Sequence, residues 1–145
     1  MRAILQRVSQ AEVAVDANVV GRIGYGWLVL LGVGHGDTEA EAAKLADKVV
    51  RLRAFNDDEG KFNRSALDIG AEVLVVSQFT LYADTSRGRR ASFVGAADPS
   101  VAVGLVDRFA EIVASYGLKV QTGQFGAHME VKLVNDGPVT ISLEV

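Results

Sequence analysis

Cysteine is absent from this chain, which excludes disulfide frameworks, zinc–cysteine sites and thiol nucleophiles. Histidine is nearly absent as well. His35 and His128 stand far apart with no H-x-x-x-H spacing, so no metal site is visible, and neither accompanies a G-x-S-x-G elbow that would mark a nucleophile–base pair. No apolar run approaches the ~20 residues that span a bilayer. The opening MRAILQRV is interrupted by Gln6 and Arg7, which argues against a signal peptide. These absences predict a cytoplasmic protein with no membrane partner. Excess charge is lacking too: a formal net charge of −3 argues against a general DNA-coating role, while a small basic site could still hold one RNA end.

Proline is scarce, with only Pro99 and Pro138 in 145 residues. Pro99 follows Asp98 as the first-turn partner of a helix N-cap. Pro138 is harder to place. It lies in Asn135-Asp136-Gly137-Pro138-Val139-Thr140, between two strand-like runs, although proline donates nothing to a sheet ladder and is confined to edges, strand starts and bulges. All four residues from Asn135 to Pro138 are turn formers, so a hairpin turn is the plain reading. A backbone shape needed for recognition is the other.

What the chain does contain is a core-forming pattern without repeats, linkers or low-complexity segments, with 49% hydrophobic residues, and it reads as a single domain over 1–145. Residues 2–8 and 11–15 alternate as strands, and YGWLVLLGVG over 25–34 reads as a buried strand. Thr38 and Glu41 form a capping box ahead of an amphipathic helix through Phe55, with Ala42, Leu45, Val49 and Leu52 on one face. Residues 56–70 read as polar loop, 72–81 as strand, and 82–97 as a second loop. A second helix runs from Asp98 to Gly117 with Ala102, Leu105, Val106, Phe109, Val113 and Tyr116 on one face. From Lys119 onward the pattern is short strands joined at Gly123, Gly126 and the Asn-Asp-Gly-Pro turn. The expected class is α+β, a mainly antiparallel β-sheet or barrel packed by two amphipathic helices.

Several stretches imitate known sites. Gly32-Val33-Gly34-His35-Gly36 lies between a strand and a helix, but its spacing fails G-x-G-x-x-G. NDDEGKF suggests a calcium loop, yet alignment on Gly60 puts Phe55 where the first carboxylate belongs. Arg87-Gly88-Arg89-Arg90 with Phe93 has the composition of a phosphate-contacting loop, or of an ordinary solvated one. Ser77 and Thr80 are the hydroxyls nearest a strand end. The residues alone lead to an α+β domain with a site near Ser77 and Thr80.

Ser77-Gln78-Phe79-Thr80-Leu81 and Asn135-Asp136-Gly137-Pro138-Val139-Thr140 together resemble the two signature motifs of the D-aminoacyl-tRNA deacylases. MRAILQRV, GWLVLLGV, RAFNDDEGKFN and VTISLEV sit where that family has them. Arg90-Ala91-Ser92-Phe93 departs from an expected Arg-Pro-Ser-Phe. The resemblance implies hydrolysis of D-aminoacyl-tRNA, and of glycyl-tRNA, by a homodimer without cofactor or metal. In that picture Gly137 and Pro138 form a cis bond whose carbonyls enter the partner's site and exclude L side chains. Ser77, Gln78, Phe79 and Thr80 are the catalytic segment: backbone N–H groups at Phe79 and Thr80 meet the developing oxyanion, Gln78 meets the terminal ribose, and the tRNA 2′-hydroxyl assists water. Ala102, Phe125 and Met129 form the adenosine and pocket walls, and Arg7 braces the Gly–Pro segment. Two rivals remain: a non-catalytic module holding an RNA end or a peptide, and a hydrolase with Thr80 as nucleophile.

Overall fold

The computed structural model describes residues 1–145, and one long strand organises it. β1 (Arg2–Val15) pairs antiparallel with β3 (Gly26–Gly32) along its first half and with β2 (Asn18–Ile23) along its second. The β1–β2 turn places Asp16 and Ala17 at φ 48° and 64°, the double positive φ of the tight turn that matches strand twist. β6 (Glu72–Ser77) joins β3 in parallel, and β7 (Val120–Thr122) joins β6 in parallel. β8 (Glu130–Glu144) runs antiparallel along the other side of β1. A short separate hairpin is made by β4 (Phe55–Asn56) and β5 (Phe62–Arg64).

β1 changes which face it buries, and so builds two cores. Ala3 and Leu5 join Trp27, Val29, Leu31, Val73 and Val75 under the helices, whereas Val8, Ala11 and Val13 join Ile23, Leu28, Leu74 and Val76 inside the curled sheet. The exchange occurs at Val8–Gln10, where the register against β8 also slips. Curling brings β2 across to β6 and β7, so close that a Cβ on Gly21 would lie 2.8 Å from the Thr122 carbonyl oxygen. The sheet is thus a nearly closed barrel.

α1 (Glu39–Arg51) begins with both halves of the Thr38/Glu41 capping box and buries Ala42, Leu45, Ala46, Val49 and Val50. It stops four residues before its expected end, because Leu52 turns extended and Phe55 leaves the helix line to pack edge-to-face on Trp27 at 4.8 Å. α3 (Pro99–Ser115) lays Ala102, Leu105, Val106, Phe109, Ala110 and Val113 against the same core. No helix is long and apolar enough to cross a membrane.

The α+β class with a sheet or barrel packed by helices agrees with the expectation, and four details correct it. Residues 56–70 are not simply loop: they hold β5 and α2 (Ala66–Ile69), a third helix started by a second capping box, Ser65 with Asp68. No periodic apolar run follows so short a helix, so the box carries no helix signal in the sequence. The strand expected over 72–81 ends at Ser77 and becomes a 3₁₀ turn, Phe79–Tyr82. The sheet is mixed, since helical crossovers return the chain in parallel from β3 to β6 and from β6 to β7. Finally, Asn-Asp-Gly-Pro is not a hairpin turn: β8 passes through it, and the chain only bulges there.

Candidate active site

The carboxyl ends of the parallel strands β3 and β6 meet the start of α3, and a cavity of about 380 Å³ opens between them. Open crevices at such strand ends are where sheets of this kind bind ligands. Leu31, Val33, Ala97, Ala102, Val106 and Phe125 make its walls apolar. Ser77 and Gln78 supply the polar part of its rim, beside Phe79. The walls fit a flat or apolar group, and the rim faces whatever is attached to it.

The rim gets its shape from the break in β6. Gln78 N–H still donates to Leu31 O at 2.8 Å, the last link to β3, and the chain then tightens into the 3₁₀ turn. Within that turn Leu81 N–H donates to Gln78 O and Ala83 N–H to Thr80 O. Phe79 and Thr80 open the turn, and the first N–H groups of a helical turn have no partner within it. Two adjacent donors are left beside the cavity. Thr80 itself is exposed and stands outside the cavity lining; its hydroxyl accepts from Gln78 Nε2. Phe79 packs edge-to-face on Phe93, centroids 5.1 Å apart, and the two rings form one lip of the opening.

Sequence reasoning missed the brace behind this rim. The Tyr82 ring fills the space over three glycines: a Cβ on Gly34 would approach it to 2.6 Å, on Gly32 to 3.2 Å and on Gly95 to 3.6 Å. Its hydroxyl donates to Asp37 Oδ2 at 3.3 Å, and the same oxygen accepts Gly34 N–H at 2.6 Å. The Arg2 guanidinium covers the ring at 4.6 Å. Burial, reinforced by the Asp37 carboxylate, pushes the Tyr82 phenol up to about 12. The glycine run around His35 is therefore a close-packing surface for this ring. Its one usable signal is the presence of glycines at 32, 34 and 95, which leave room for an aromatic ring.

The second motif lies elsewhere in the same chain. Gly137–Pro138 is a cis peptide bond, Gly137 has φ +150°, and neither residue lines the cavity. Asn135 closes the bulge like a surrogate strand: its Oδ1 accepts Val139 N–H at 2.8 Å while its Nδ2 donates to Val139 O at 3.2 Å. Arg7, only 4% exposed, holds the other side. Its Nε donates to Asp136 O at 3.0 Å and pairs with Asp136 Oδ2 at 3.2 Å, and its Nη1 donates to Ala54 O at 2.8 Å and Asn56 Oδ1 at 3.1 Å. Met129 is not at the cavity either; it packs on the inner barrel cluster beside Gly123. The chain thus brings together Ser77, Gln78, Phe79, Ala102 and Phe125, and keeps Gly137, Pro138, Arg7 and Met129 apart from them.

No three histidine, aspartate or glutamate side chains converge as a metal cluster would require. In the suspected calcium loop the Asp57 carboxylate already accepts Glu59 and Lys61 N–H at 2.9 Å each, and the Lys61 N–H, the stronger influence, holds its pKa below the usual carboxylate range.

The sequence model of the D-Tyr-tRNA(Tyr) deacylase family matches residues 4–144. Proteins named D-aminoacyl-tRNA deacylase from Roseiflexus castenholzii and Thermomicrobium roseum are 65% and 60% identical to this chain. Each alignment covers 99% of the chain, with 92% and 94% of the relative. Among solved structures, the c-Myc DNA Unwinding Element Binding Protein superposes with a TM-score of 0.93 at 39% identity, over 100% of this chain and 99% of its own. A probable eukaryotic D-amino acid tRNA deacylase superposes with a TM-score of 0.84 at 19% identity, over 99% and 98%, a likeness of fold alone. Matched over nearly its whole length in sequence and in fold, this chain belongs to the D-Tyr-tRNA(Tyr) deacylase family.

Proposed function

We propose that the enzyme hydrolyses the ester joining a D-amino acid, or glycine, to the 3′ end of tRNA, and that it rejects L-aminoacyl esters. The observation that carries this reading is the pair of N–H groups at Phe79, on the rim of an apolar cavity, and at the adjacent Thr80, both free of the turn's own ladder. The terminal adenosine occupies the cavity between Ala102 and Phe125, Gln78 faces its ribose, and the ester carbonyl lies against the two donors. Water adds to that carbonyl with help from the ribose 2′-hydroxyl. The negative charge formed on the carbonyl oxygen is held by Phe79 and Thr80 N–H, and collapse expels the tRNA 3′-oxygen with a proton. Preorganised donors of this kind contribute about 10²–10³ in rate each.

Chiral selection requires a second copy. Gly137 and Pro138 are exposed and stand away from the cavity of their own chain, on a 15-residue strand with one free edge. A long free edge invites pairing with another chain. In a homodimer the carbonyl oxygens of Gly137 and Pro138 of the partner subunit face the cavity, accept the α-amino group and occupy the space an L side chain would need. Main-chain oxygens locked by Asn135 and Arg7 cannot swing aside, so the barrier to L-residues is steric. The enzyme acts in the cytoplasm, on aminoacyl-tRNA.

The test is release of free amino acid from D-tyrosyl-tRNA and L-tyrosyl-tRNA, with the mass in solution followed by light scattering. Selective D cleavage by a dimer is expected. Cleavage of neither ester would leave only the binding-module reading. A fully active and selective monomer would remove the cross-subunit role of Gly137 and Pro138.

A further inference from the structure

Every arginine outside one loop is engaged within the fold. Arg2, Arg7, Arg22, Arg51, Arg64 and Arg108 pair with carboxylates, and Arg53 Nε donates to the Asn63 carbonyl at 2.9 Å. Arg87, Arg89 and Arg90 are different: all three are exposed and none has an intramolecular partner. The loop's own carboxylate, Asp84, is turned to the loop's backbone, accepting Ser86 N–H at 2.9 Å. Nothing within the chain neutralises these charges. In a protein whose net charge is −3, they put three unpaired positive charges within four consecutive residues.

The loop is also held in a particular place. Asp84 and Ser92 exchange backbone hydrogen bonds of 2.8 and 2.9 Å, which pinches its base, and Gly88 takes φ +123° at its tip and separates Arg87 from Arg89. The residue after the pinch is Phe93, the lip of the cavity and the partner of Phe79. Three residues of chain span at most about 10 Å, so Arg90 stands within that distance of the mouth. The two lip rings are 59% and 37% exposed, open enough for a base to stack on, and exposed aromatics beside unpaired arginines are the usual composition of a single-stranded nucleic-acid surface.

We infer that the Arg87–Arg90 loop is the docking surface for the ribose–phosphate backbone just upstream of the esterified nucleotide, with Phe79 and Phe93 as the platform between loop and cavity. The inference rests on the proposed reaction, and it names what holds the rest of the RNA while the terminal nucleotide occupies the cavity. Phosphate contacts position without reading sequence, so the loop confers affinity for tRNA in general and leaves chirality to the other site.

The test compares wild type with the triple variants Arg87→Ala/Arg89→Ala/Arg90→Ala and Arg87→Lys/Arg89→Lys/Arg90→Lys, on three probes. Each arginine–phosphate contact adds about 0.7–0.9 to the slope of log affinity against log salt, so three contacts weaken binding about 20- to 40-fold between 50 and 200 mM salt. Binding of deacylated tRNA should lose that part of its salt dependence in the alanine variant and keep most of it in the lysine variant. With D-tyrosyl-tRNA the alanine variant should show a raised KM and an unchanged kcat. With D-tyrosyl-adenosine, which has no upstream phosphate, both variants should equal wild type. An unchanged salt slope for deacylated tRNA, or equal losses on D-tyrosyl-adenosine and D-tyrosyl-tRNA, would overturn the inference. The binding probe involves no ester: if it behaves as expected while wild type cleaves neither ester, the proposed reaction falls and the docking surface stands.

Discussion

Arg7→Met keeps most of the aliphatic stem and removes the guanidinium, which isolates what that group does. The loss can be sized from its partners. The Ala54 carbonyl, bound at 2.8 Å in a buried setting, is left unsatisfied, and a buried acceptor without a partner costs about 1–3 kcal/mol. The Asp136 carbonyl loses its 3.0 Å bond in a partly buried setting, about 1 kcal/mol more. The ion pair with the Asp136 carboxylate adds little, because that side chain is 45% exposed and exposed pairs are worth about 0–1 kcal/mol. Some of the loss returns, since the variant no longer buries a charge. A net destabilisation of about 2–3 kcal/mol remains, and at about 2–4 °C per kcal/mol for a chain of this size the thermal midpoint should fall by about 4–12 °C. The functional consequence is more specific. With the Asp136 carbonyl released, Gly137 and Pro138 are held by Asn135 alone, so the ratio of D- to L-tyrosyl-tRNA cleavage should drop at least about tenfold, in proportion to roughly 1.4 kcal/mol of lost discrimination. The D rate itself should change less, because Phe79 and Thr80 are positioned by β6 and the 3₁₀ turn. Both quantities are measured on the folded variant below its new midpoint. A D-to-L ratio unchanged within twofold would refute the reasoning and reduce Arg7 to a core brace.

Three further outcomes are expected. Thr80→Val should retain deacylation within about tenfold, since the position acts through its N–H and the hydroxyl only accepts from Gln78; complete loss together with a trapped Thr80 ester by mass spectrometry would establish the nucleophile reading instead. Ala102→Phe should fill the cavity and block the adenosine, raising KM steeply, with about 1–3 kcal/mol of overpacking cost to check by denaturation; an unchanged KM would move the nucleotide elsewhere. The Tyr82 phenol is raised in the fold from 10.0 to about 12, so the stability linked to it is present below pH 10 and is lost as pH rises toward 12, where the unfolded chain ionises first. Tyr82→Phe should flatten the decline in thermal midpoint across that window, and an identical decline in both proteins would show that the phenol is not the titrating group.

Much of this molecule is determined by local sequence. Helix α1 and its capping box, the face of α3, the strands at 2–15 and 25–34, and the break at Gly117 follow from periodicity and end signals that act over a few residues. The two motifs were legible as well, although what they imply came by resemblance, and residue patterns alone reach only a site near Ser77 and Thr80. What local pattern could not decide is which face each strand buries and what its end meets. The run over 72–81 is strand-like throughout, yet it stays a strand only while Leu31 offers a partner carbonyl, and past Gln78 the absence of one lets the chain close into a 3₁₀ turn that leaves two donors free. Pro138 resembles a turn former because its neighbours are turn formers, and only the pairing of β8 with β1, together with Asn135 and Arg7, makes the segment a clamped bulge. Met129 is a pocket wall only by resemblance, and the curl that brings β2 across to β7 packs it on the inner barrel cluster of its own chain. Contacts between segments distant in the chain, from Leu31 with Gln78 to Arg7 with Asp136, decide these points, and no short sequence window contains both partners.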